Sequence, residues 1–184
     1  MKKKIGIIVA YDNKRSIGKE GKIPWKIKGE QSQFKELTTN NIVVMGRTTY
    51  EEIGKPLPNR TNVVISSRMY LNKNSYPGLY IYKTIGEFLS DYKNNNGFIK
   101  SIFGKVNKDF KNKKIFAIGG KNIFSYFLNL VDIIYATEID GDFNGDVFFP
   151  DIENKFKLKE SSESIISITN GIEYKYTRKI FIKK

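Results

Sequence analysis

The stretch Ile42-Val43-Val44-Met45-Gly46-Arg47-Thr48-Thr49 is an apolar run that ends in a glycine, a cation and two hydroxyl side chains. Its four consecutive apolar residues predict a buried strand. Gly46 ends this strand, and we expect a short helix over residues 48–53 that is closed by Gly54. A buried strand that passes through a glycine into a helix is typical of α/β proteins. The stretch therefore predicts an α/β fold.

A buried strand that ends in glycine, hydroxyl or basic residues recurs twice further along the chain. Val64-Ile65 leads into Ser66-Ser67-Arg68, and Ala117-Ile118 leads into Gly119-Gly120. Singly, each passage has a purely structural explanation: Gly46 as a turn, the serines as a strand end, the paired glycines as close helix packing. Together they bring cations, hydroxyls and open backbone to the carboxyl edge of a sheet, where ligands bind. We expect a phosphorylated cofactor there, although the glycine spacing of an ordinary Rossmann domain is absent.

Strand and helix patterns alternate along most of the chain. Apolar runs predict strands at 5–10, 42–45, 61–66, 79–82, 115–118 and 133–139. Helical patterns lie between them at 29–38, 48–53, 84–92 and 122–130. From Phe156 the pattern becomes alternating, which favours a closing antiparallel pair. We predict a single α/β domain over 1–184, with a central, mostly parallel twisted sheet, flanking helices and C-terminal antiparallel strands.

The composition restricts the available chemistry. The 184 residues are 40% hydrophobic and include no Cys and no His. This excludes disulfides, thiolate nucleophiles and histidine bases, and we expect no metal site. Proton transfer must then use Asp, Glu, Tyr, Lys or a held water, and redox chemistry would need an organic cofactor. The apolar run after the N-terminal lysines is too short for a signal core, so we expect a cytoplasmic protein without a membrane span.

The net charge of +13 raises the question of a polyanionic partner. Residues 93–114 contain seven lysines and one aspartate, with Phe98, Phe103 and Phe110 among them. We interpret this segment as an insertion with a solvated surface, either an added helix or a disordered loop. We do not expect nucleic acid to bind, because arginines and aromatic residues are not interleaved along the segment. The alternative to an enzyme is a basic binding protein that uses this segment to bind nucleic acid.

Glu30 is the acid that the functional argument depends on. It follows Ile23-Pro24-Trp25 and lies one helical turn before Phe34. Residues four apart share a helix face, so Glu30 and Phe34 would point the same way, beside Ile27. This suggests a carboxylate that looks into a pocket, where its pKa rises or a ligand donates hydrogen bonds to it. The alternative is a solvated acid in the first turn of a helix, where the macrodipole favours it.

Motifs dispersed along the chain resemble those of the dihydrofolate reductase family. The resemblance covers nearly the whole chain except 93–114 and rests on motifs that fall in the family's order: Ile17-Gly18, Ile23-Pro24-Trp25, Glu30 with Phe34-Lys35, Met45-Gly46-Arg47-Thr48-Thr49-Tyr50-Glu51, Ile53-Gly54-Lys55-Pro56-Leu57-Pro58-Asn59-Arg60, Ile118-Gly119-Gly120, Tyr135-Ala136-Thr137 and Gly145-Asp146-Val147-Phe148-Phe149-Pro150.

The resemblance implies a folate site around Glu30. Glu30 would bond the amino group and a ring nitrogen of the pterin, and Thr137 would support it. Trp25 would act with them in catalysis and, together with Asp146, would steady a mobile loop. Arg60 would pair with the α-carboxylate of the substrate, which suits a planar guanidinium. The remaining substrate-binding residues that the resemblance implies are Ile8, Val9, Phe34, Ile53, Leu57 and Ile118.

The resemblance also implies an NADPH site. Nicotinamide would lie near Ala10 and Ile17, and the peptide between Gly119 and Gly120 would be cis, as in the family. The further cofactor-binding residues would be Gly18, Gly46, Arg47, Thr48, Thr49, Ser66, Ser67, Arg68, Ile118, Lys121, Asn122, Ile123 and Phe124. Because Asn122 stands where some relatives carry an arginine, selectivity for the 2′-phosphate would depend on Arg47, Ser66, Ser67 and Arg68.

The implied activity is hydride transfer from NADPH to C6 of 7,8-dihydrofolate, with N5 protonated through water and Glu30 biasing that protonation. The product, tetrahydrofolate, serves one-carbon metabolism. The partners would be dihydrofolate and antifolate inhibitors, and we expect a monomer. A pyrimidine reductase of the riboflavin pathway is the rival enzyme, since it shares the general architecture and the cofactor. The pairing of Glu30 with Arg60 argues against that rival.

Overall fold

The computed structural model describes residues 5–94 and 113–184. Its strands are β1 (Ile5–Asp12), β2 (Ser16–Gly18), β3 (Ile42–Gly46), β4 (Thr61–Ile65), β5 (Leu79–Tyr82), β6 (Ile115–Gly119), β7 (Ile133–Ile139), β8 (Val147–Phe148), β9 (Phe156–Ser161), β10 (Ile165–Thr169) and β11 (Ile172–Lys183). Its α-helices are α1 (Gln31–Thr38), α2 (Arg47–Ile53), α3 (Ser67–Leu71), α4 (Ile85–Asn94) and α5 (Lys121–Phe127).

Nine of these strands form one sheet. Its order is β10-β11-β7-β1-β6-β3-β4-β5, and β9 pairs with the same edge of β11 as β10. The six strands from β7 to β5 run parallel to one another, whereas β11 runs antiparallel to β7, β9 and β10. The α/β fold class with a mostly parallel sheet and C-terminal antiparallel strands is therefore confirmed. The short strands β2 and β8 pair separately.

Both faces of the parallel region are covered. The side chains of Ile42, Val43, Val44 and Met45 are all completely buried, as expected for a strand with core on both sides. Alternate residues contribute to two clusters: Val44 packs with Phe127 of α5 and Phe88 of α4, whereas Met45 packs on the other face with residues of α2 and α3. An unbroken apolar run is what this position in the sheet requires.

Four features of the helices and strands differ from the sequence-based predictions. Helix α1 begins at Gln31 rather than at Gly29, because Gly29 has φ +85°, outside the right-handed helical region. Helix α5 ends at Phe127 and is followed by a turn at 128–130. Helix α3 was not predicted; the Ser66 hydroxyl accepts a hydrogen bond from the Met69 amide and caps it. The C-terminal region contains three antiparallel strands, where the sequence predicted a pair.

The lysine-rich segment lies mostly outside the described residues, at 95–112, so its predicted helix or loop is not addressed by the structure. The residues that flank it are well anchored. The Tyr92 hydroxyl donates to the Lys113 carbonyl at 2.8 Å, and Lys113 Nζ lies 3.3 Å from Thr61 Oγ1. The two ends of the segment therefore meet near the amino-terminal ends of β4 and β6. Within the described ranges, no helix has both the length and the apolar character needed to cross a bilayer.

A buried carboxylate at the end of β1 holds two loops together. Asp12 is fully buried, and its Oδ1 accepts hydrogen bonds from the amides of Lys14 (2.9 Å) and Ser16 (2.8 Å). Its Oδ2 accepts from the Phe143 amide at 3.0 Å. The loop after β1 and the loop after β7 are thus fixed to one side chain. Both loops matter for the site, because the first leads into Gly18 and the second into β8.

We expect Asp12→Ala to lower the free energy of unfolding by about 2–4 kcal/mol, because three backbone N–H groups lose a charged acceptor. Asp140→Ala is the matched control, since Asp140 is exposed and lies 3.7 Å from Lys175 Nζ in a surface ion pair; its effect should stay below about 0.5 kcal/mol. Urea denaturation of both variants measures the difference. Equal destabilisation by the two substitutions would contradict this role of Asp12.

Candidate active site

Glu30 occupies the position just before α1 and is only partly accessible to solvent. Burial raises the pKa of its carboxyl above the ordinary value, and the positive charge of Arg178 lowers that pKa in part. Its backbone is already helical, and it makes no capping hydrogen bond to α1. A carboxylate that only capped the helix from solvent would show neither the burial nor the raised pKa. The geometry therefore favours the pocket interpretation of Glu30 over the solvated one.

A row of residues on three strands lies beside the first turn of α1. Ala10 on β1 is the register partner of Thr137 on β7, and Thr137 is the register partner of Arg178 on β11. The Arg178 guanidinium extends to α1, where Nη2 donates to Ser32 Oγ at 2.7 Å. Thr137 is 5% exposed. Arg178 thus links Thr137 on the sheet to the first turn of α1, which Glu30 immediately precedes.

Two neighbours in the sequence, Ile8 and Val9, face opposite sides of the sheet. Ile8 is the register partner of Tyr135 and alternates with Ala10, so its side chain lies on the α1 side. Val9 is 6% exposed and packs in the core cluster that includes α4 and α5. The side chain of Val9 is therefore directed away from Glu30, and any contact that Val9 makes with a substrate would involve its backbone.

Phe34, in the middle of α1, and Arg60 lie against each other. The Arg60 guanidinium carbon is 5.8 Å from the centre of the Phe34 ring. Arg60 Nη1 donates to Thr38 Oγ1 at 3.2 Å, and Nε donates to the Pro58 carbonyl at 2.8 Å. These contacts hold the Arg60 guanidinium beside the Phe34 ring.

Further apolar residues of the implied folate site share one cluster. Ile53, Leu57 and Ile118 are partly buried and pack against the cluster that contains Val43 and Met45. They share the face of the sheet that carries α2: Ile53 ends α2, Leu57 lies in the loop after it, and Ile118 is on β6. This arrangement provides an apolar wall, and the loop that supplies Leu57 also leads to Arg60.

Asn62 was missed by the sequence analysis, although it positions this wall. It is 2% exposed on β4, and its amide group exchanges two hydrogen bonds of 2.9 Å with the backbone of Leu57. Its Nδ2 also donates to the Arg60 carbonyl at 3.1 Å. A polar amide within the apolar strand Thr61–Ile65 was the available signal, because a buried amide needs partners.

A cleft of about 490 Å³ opens at the carboxyl ends of β3 and β6. Ten residues that the resemblance assigned to the cofactor line it: Ile17, Gly18, Gly46, Arg47, Thr48, Thr49, Gly120, Lys121, Asn122 and Ile123. Six lining residues were not predicted: Gly21, Lys22, Glu52, Ile65, Ile85 and Val147. The volume is that of an ordinary ligand pocket, and the lining supplies cations, hydroxyls and open backbone.

The paired glycines allow two strand ends to approach closely. Gly119 has φ +136°, and a Cβ built there would lie 3.2 Å from Thr49 Oγ1. The Gly119–Gly120 peptide is cis. A Cβ on Gly46 would lie 3.8 Å from the Gly120 nitrogen. The backbone of both strands is thus exposed to the cleft, where larger residues would intervene.

Several residues predicted for the cofactor lie outside the cleft lining. Phe124 is 3% exposed and packs edge-to-face on Phe149 with ring centres 5.1 Å apart. Its ring lies beneath Gly119 rather than at the surface of the cleft. Ser66 is used as the cap of α3, whereas Ser67 and Arg68 are exposed at the carboxyl end of β4. Ser66, Ser67 and Arg68 therefore lie at the end of β4, next to β3, and do not line the cleft.

Arg47 lies in the cleft but already has a partner. Its Nη1 donates to Glu51 Oε1 at 2.7 Å, one turn along α2. The pair is substantially exposed to solvent, so its net contribution to stability is small. The guanidinium can therefore exchange this carboxylate for another anion at low cost.

The loop between β2 and α1 is tied down at three points. Trp25 is 8% exposed and packs edge-to-face on Phe143 with ring centres 5.3 Å apart. Asp146 Oδ2 accepts from the Glu20 amide at 2.9 Å. Glu52 on α2 accepts from the Ile23 amide, a contact that the sequence analysis did not anticipate. The loop thus lies across the cleft with one anchor on α2 and two near β8.

Comparisons with known proteins agree along almost the entire chain. The model of the family described as "Dihydrofolate reductase" matches residues 4–180. A dihydrofolate reductase of Staphylococcus aureus is 36% identical over 146 residues, which are 79% of this chain and 77% of that protein. A dihydrofolate reductase of Bacillus subtilis is 28% identical over 173 residues, covering 94% and 91%.

A solved structure is similar to the fold as well. The dihydrofolate reductase from Enterococcus faecalis, complexed with NADP(H) and RAB-propyl, superimposes with a TM-score of 0.74 and 27% identity. The match covers 98% of this chain and 96% of that one.

The raised pKa of Glu30 predicts how stability depends on pH. A carboxyl whose pKa is higher in the folded protein than in the unfolded chain makes the fold less stable as pH rises from the ordinary glutamate range through the raised pKa. Glu30→Gln removes this effect. The variant should therefore gain stability relative to the wild type as pH increases. The two proteins should differ little at low pH, where the Glu30 carboxyl of the wild type is protonated in both the folded and the unfolded state.

Urea denaturation from about pH 4 to about pH 8 measures this difference. Glu36→Gln on the exposed face of the same helix is the matched control and should show no such trend. A difference between Glu30→Gln and wild type that does not change with pH would contradict the raised pKa.

Proposed function

The chain belongs to the dihydrofolate reductase family, and from this premise we propose that it reduces 7,8-dihydrofolate to tetrahydrofolate with NADPH. The observation that carries the proposal is a partly buried acid, Glu30, which lies just before α1 beside a sheet whose strand β1 leads through a short loop into the cleft-lining strand β2. The match to the family model also decides against the pyrimidine reductase alternative. The expected monomeric state and cytoplasmic location stay predictions.

The role of Glu30 follows from its environment. An ionised carboxylate that is partly removed from water gains most from a ligand that donates two parallel hydrogen bonds, such as the amino group and ring N–H of a pterin. Thr137, buried on β7, would add its hydroxyl to the hydrogen bonds between Glu30 and the pterin. Ile8 and Ala10 on β1 would provide the apolar floor beneath the ring.

The tail of the substrate would follow the apolar wall. Phe34 would pack on the pterin, and Ile53 and Leu57 would contact the aminobenzoyl group. Arg60 would then pair with the α-carboxylate. Its guanidinium is held by Thr38 and Pro58, so part of the ordering entropy of a long side chain is already spent before the ligand arrives.

The cleft suits the cofactor. NADPH, when bound, supplies a hydride to C6 of the pterin. Arg47, Lys121 and the hydroxyls of Thr48 and Thr49 would hold its phosphates, while the glycine backbones at 119 and 120 permit close approach. Ser67 and Arg68, exposed at the end of β4, would contact the 2′-phosphate. Ile17 and Gly18 on β2, with Gly21 and Lys22 in the loop after it, would cover the nicotinamide.

Rate enhancement would come mainly from positioning. Holding donor and acceptor carbons together in a dry site removes much of the entropic barrier of a bimolecular step. Trp25 and the loop anchored by Asp146 and Glu52 would exclude bulk water, while a single held water delivers the proton to N5. Glu30 would favour that protonation through the pterin rather than attack any atom. The reaction requires no histidine, which agrees with the composition.

Glu30→Gln should reduce turnover of dihydrofolate at neutral pH by about 100-fold or more, because the amide cannot accept both hydrogen bonds or assist protonation. NADPH should bind with nearly unchanged affinity. The loss of NADPH absorbance with dihydrofolate measures turnover, and fluorescence titration measures NADPH binding. Glu36→Gln is the control and should retain wild-type turnover. Full activity of Glu30→Gln would reject the proposed role.

Arg68→Gln tests the proposed 2′-phosphate contact. We expect NADPH to bind more tightly than NADH to the wild type, and the substitution should weaken NADPH binding roughly 10- to 100-fold, the loss of a charge-assisted hydrogen bond. NADH lacks the phosphate and serves as the internal control, so its affinity should not change. Equal weakening of both cofactors would assign Arg68 a structural role instead.

A further inference from the structure

Arg178 on β11 is a cation on the sheet face that carries α1 and the substrate site. It is the register partner of Thr137, so the two side chains lie next to each other across β11 and β7. Its guanidinium leaves the strand and reaches the chain around Glu30. Nη2 donates to Ser32 Oγ at 2.7 Å and lies 3.4 Å from the Gly29 carbonyl oxygen. Arg178 therefore contacts residues on both sides of Glu30.

The guanidinium is also incompletely satisfied. Its Nε–H group is buried and has no hydrogen-bond partner among the described residues. Leaving a buried donor on a cation unpaired is unfavourable, and structures tolerate this mainly where another constraint fixes the side chain. Here the constraint is the link to the first turn of α1. The unpaired Nε–H group of Arg178 therefore adds to the positive potential near the Glu30 carboxylate.

The groups around Glu30 can be named element by element. From β11, Arg178 and Tyr176 lie on the α1 side; from β7 and β1 come Thr137 and Ala10. Within this set the guanidinium is the charged group, and Tyr176 is 3% exposed in an apolar cluster with Trp25. Electrostatic control of Glu30 by the sheet thus falls to Arg178.

We infer that Arg178 is a positioning residue for Glu30, which fixes the first turn of α1 against the sheet and keeps Glu30 in its ionised, ligand-binding form. This inference rests on the proposed function, because it assigns a purpose to the ionised form. Burial and Arg178 act on Glu30 in opposite directions: burial raises the pKa of the carboxyl and the guanidinium lowers it. Arg178 thereby widens the pH range over which the pocket can accept hydrogen bonds from a pterin.

The adjacent residue offers a matched control. Lys179 lies on the opposite face of β11, where its Nζ is 2.8 Å from Glu138 Oε1. Lys179→Gln removes one positive charge from the same strand without touching the α1 side. Arg178→Gln and Arg178→Leu are neutral replacements at the site itself, and Arg178→Lys keeps the charge but loses the planar fork.

Titration of the Glu30 carboxyl by carbon-13 NMR tests the inference in the ligand-free protein. The resonance is identified as the one missing from Glu30→Gln. Both neutral variants should move the Glu30 midpoint to higher pH, whereas Arg178→Lys and Lys179→Gln should leave it close to the wild-type midpoint. Two neutral variants, Arg178→Gln and Arg178→Leu, are used so that the test can still be made if one of them folds poorly. An unchanged midpoint in the neutral variants, or an equal shift in Lys179→Gln, would overturn the inference.

Folate binding, followed through the fluorescence of Trp25, the single tryptophan of the chain, gives the functional readout. As pH is lowered, the neutral variants should lose affinity for folate at a higher pH than the wild type. Loss of affinity at the same pH would overturn the inference. If folate binds to no variant and not to the wild type, the proposed function fails, while the NMR midpoints still decide the role of Arg178.

Discussion

The partial removal of one carboxylate from water is the constraint on which the site depends. Glu30 lies where α1 begins, against a row of residues from β1, β7 and β11 that parallel and antiparallel pairing fix in register. Because the fold exposes it incompletely, the carboxyl is unfavourable when ionised and unoccupied, and favourable when a ligand donates hydrogen bonds to it. The protein thus exchanges some stability for a site that discriminates strongly in favour of such ligands.

The surrounding structure serves to hold that site and the cleft in a fixed relation. β1 lies at the centre of the sheet, contributes Ala10 beside Thr137, and leads through a short loop into β2, which lines the cleft at Ile17. Asp12 fixes the loop between β1 and β2, and Asp146 and Glu52 hold the loop after β2. Two ligands bound at these places would therefore meet over β1. Membership of the dihydrofolate reductase family explains why they need to meet, since one passes a hydride to the other.

The parts of the fold that apolar periodicity controls could be predicted from the sequence. The central strands were predicted within about two residues of their observed ends, because a run such as Ile42 to Met45 has no other stable location than the middle of a sheet. Helix α3 was missed because five residues carry too little periodicity, and only the Ser66 cap marks it. The β2–β8 pair was missed because its short strands depend on tertiary contacts.

The candidate site was predictable only in part. The strand ends themselves predicted the cleft residues at Gly46 to Thr49 and at Gly120, and the resemblance supplied the other predicted ones. Glu52 and Arg178 act through partners distant in sequence that no local pattern reveals. Asn62 has nearby partners, but its amide alone does not identify them. The most direct test of the account is a crystal structure of the protein with folate and oxidised NADP. The account predicts both Glu30 carboxylate oxygens within about 3.2 Å of pterin nitrogen donors, with nicotinamide over the ring. A folate bound away from Glu30, with that carboxylate in bulk water, would contradict it.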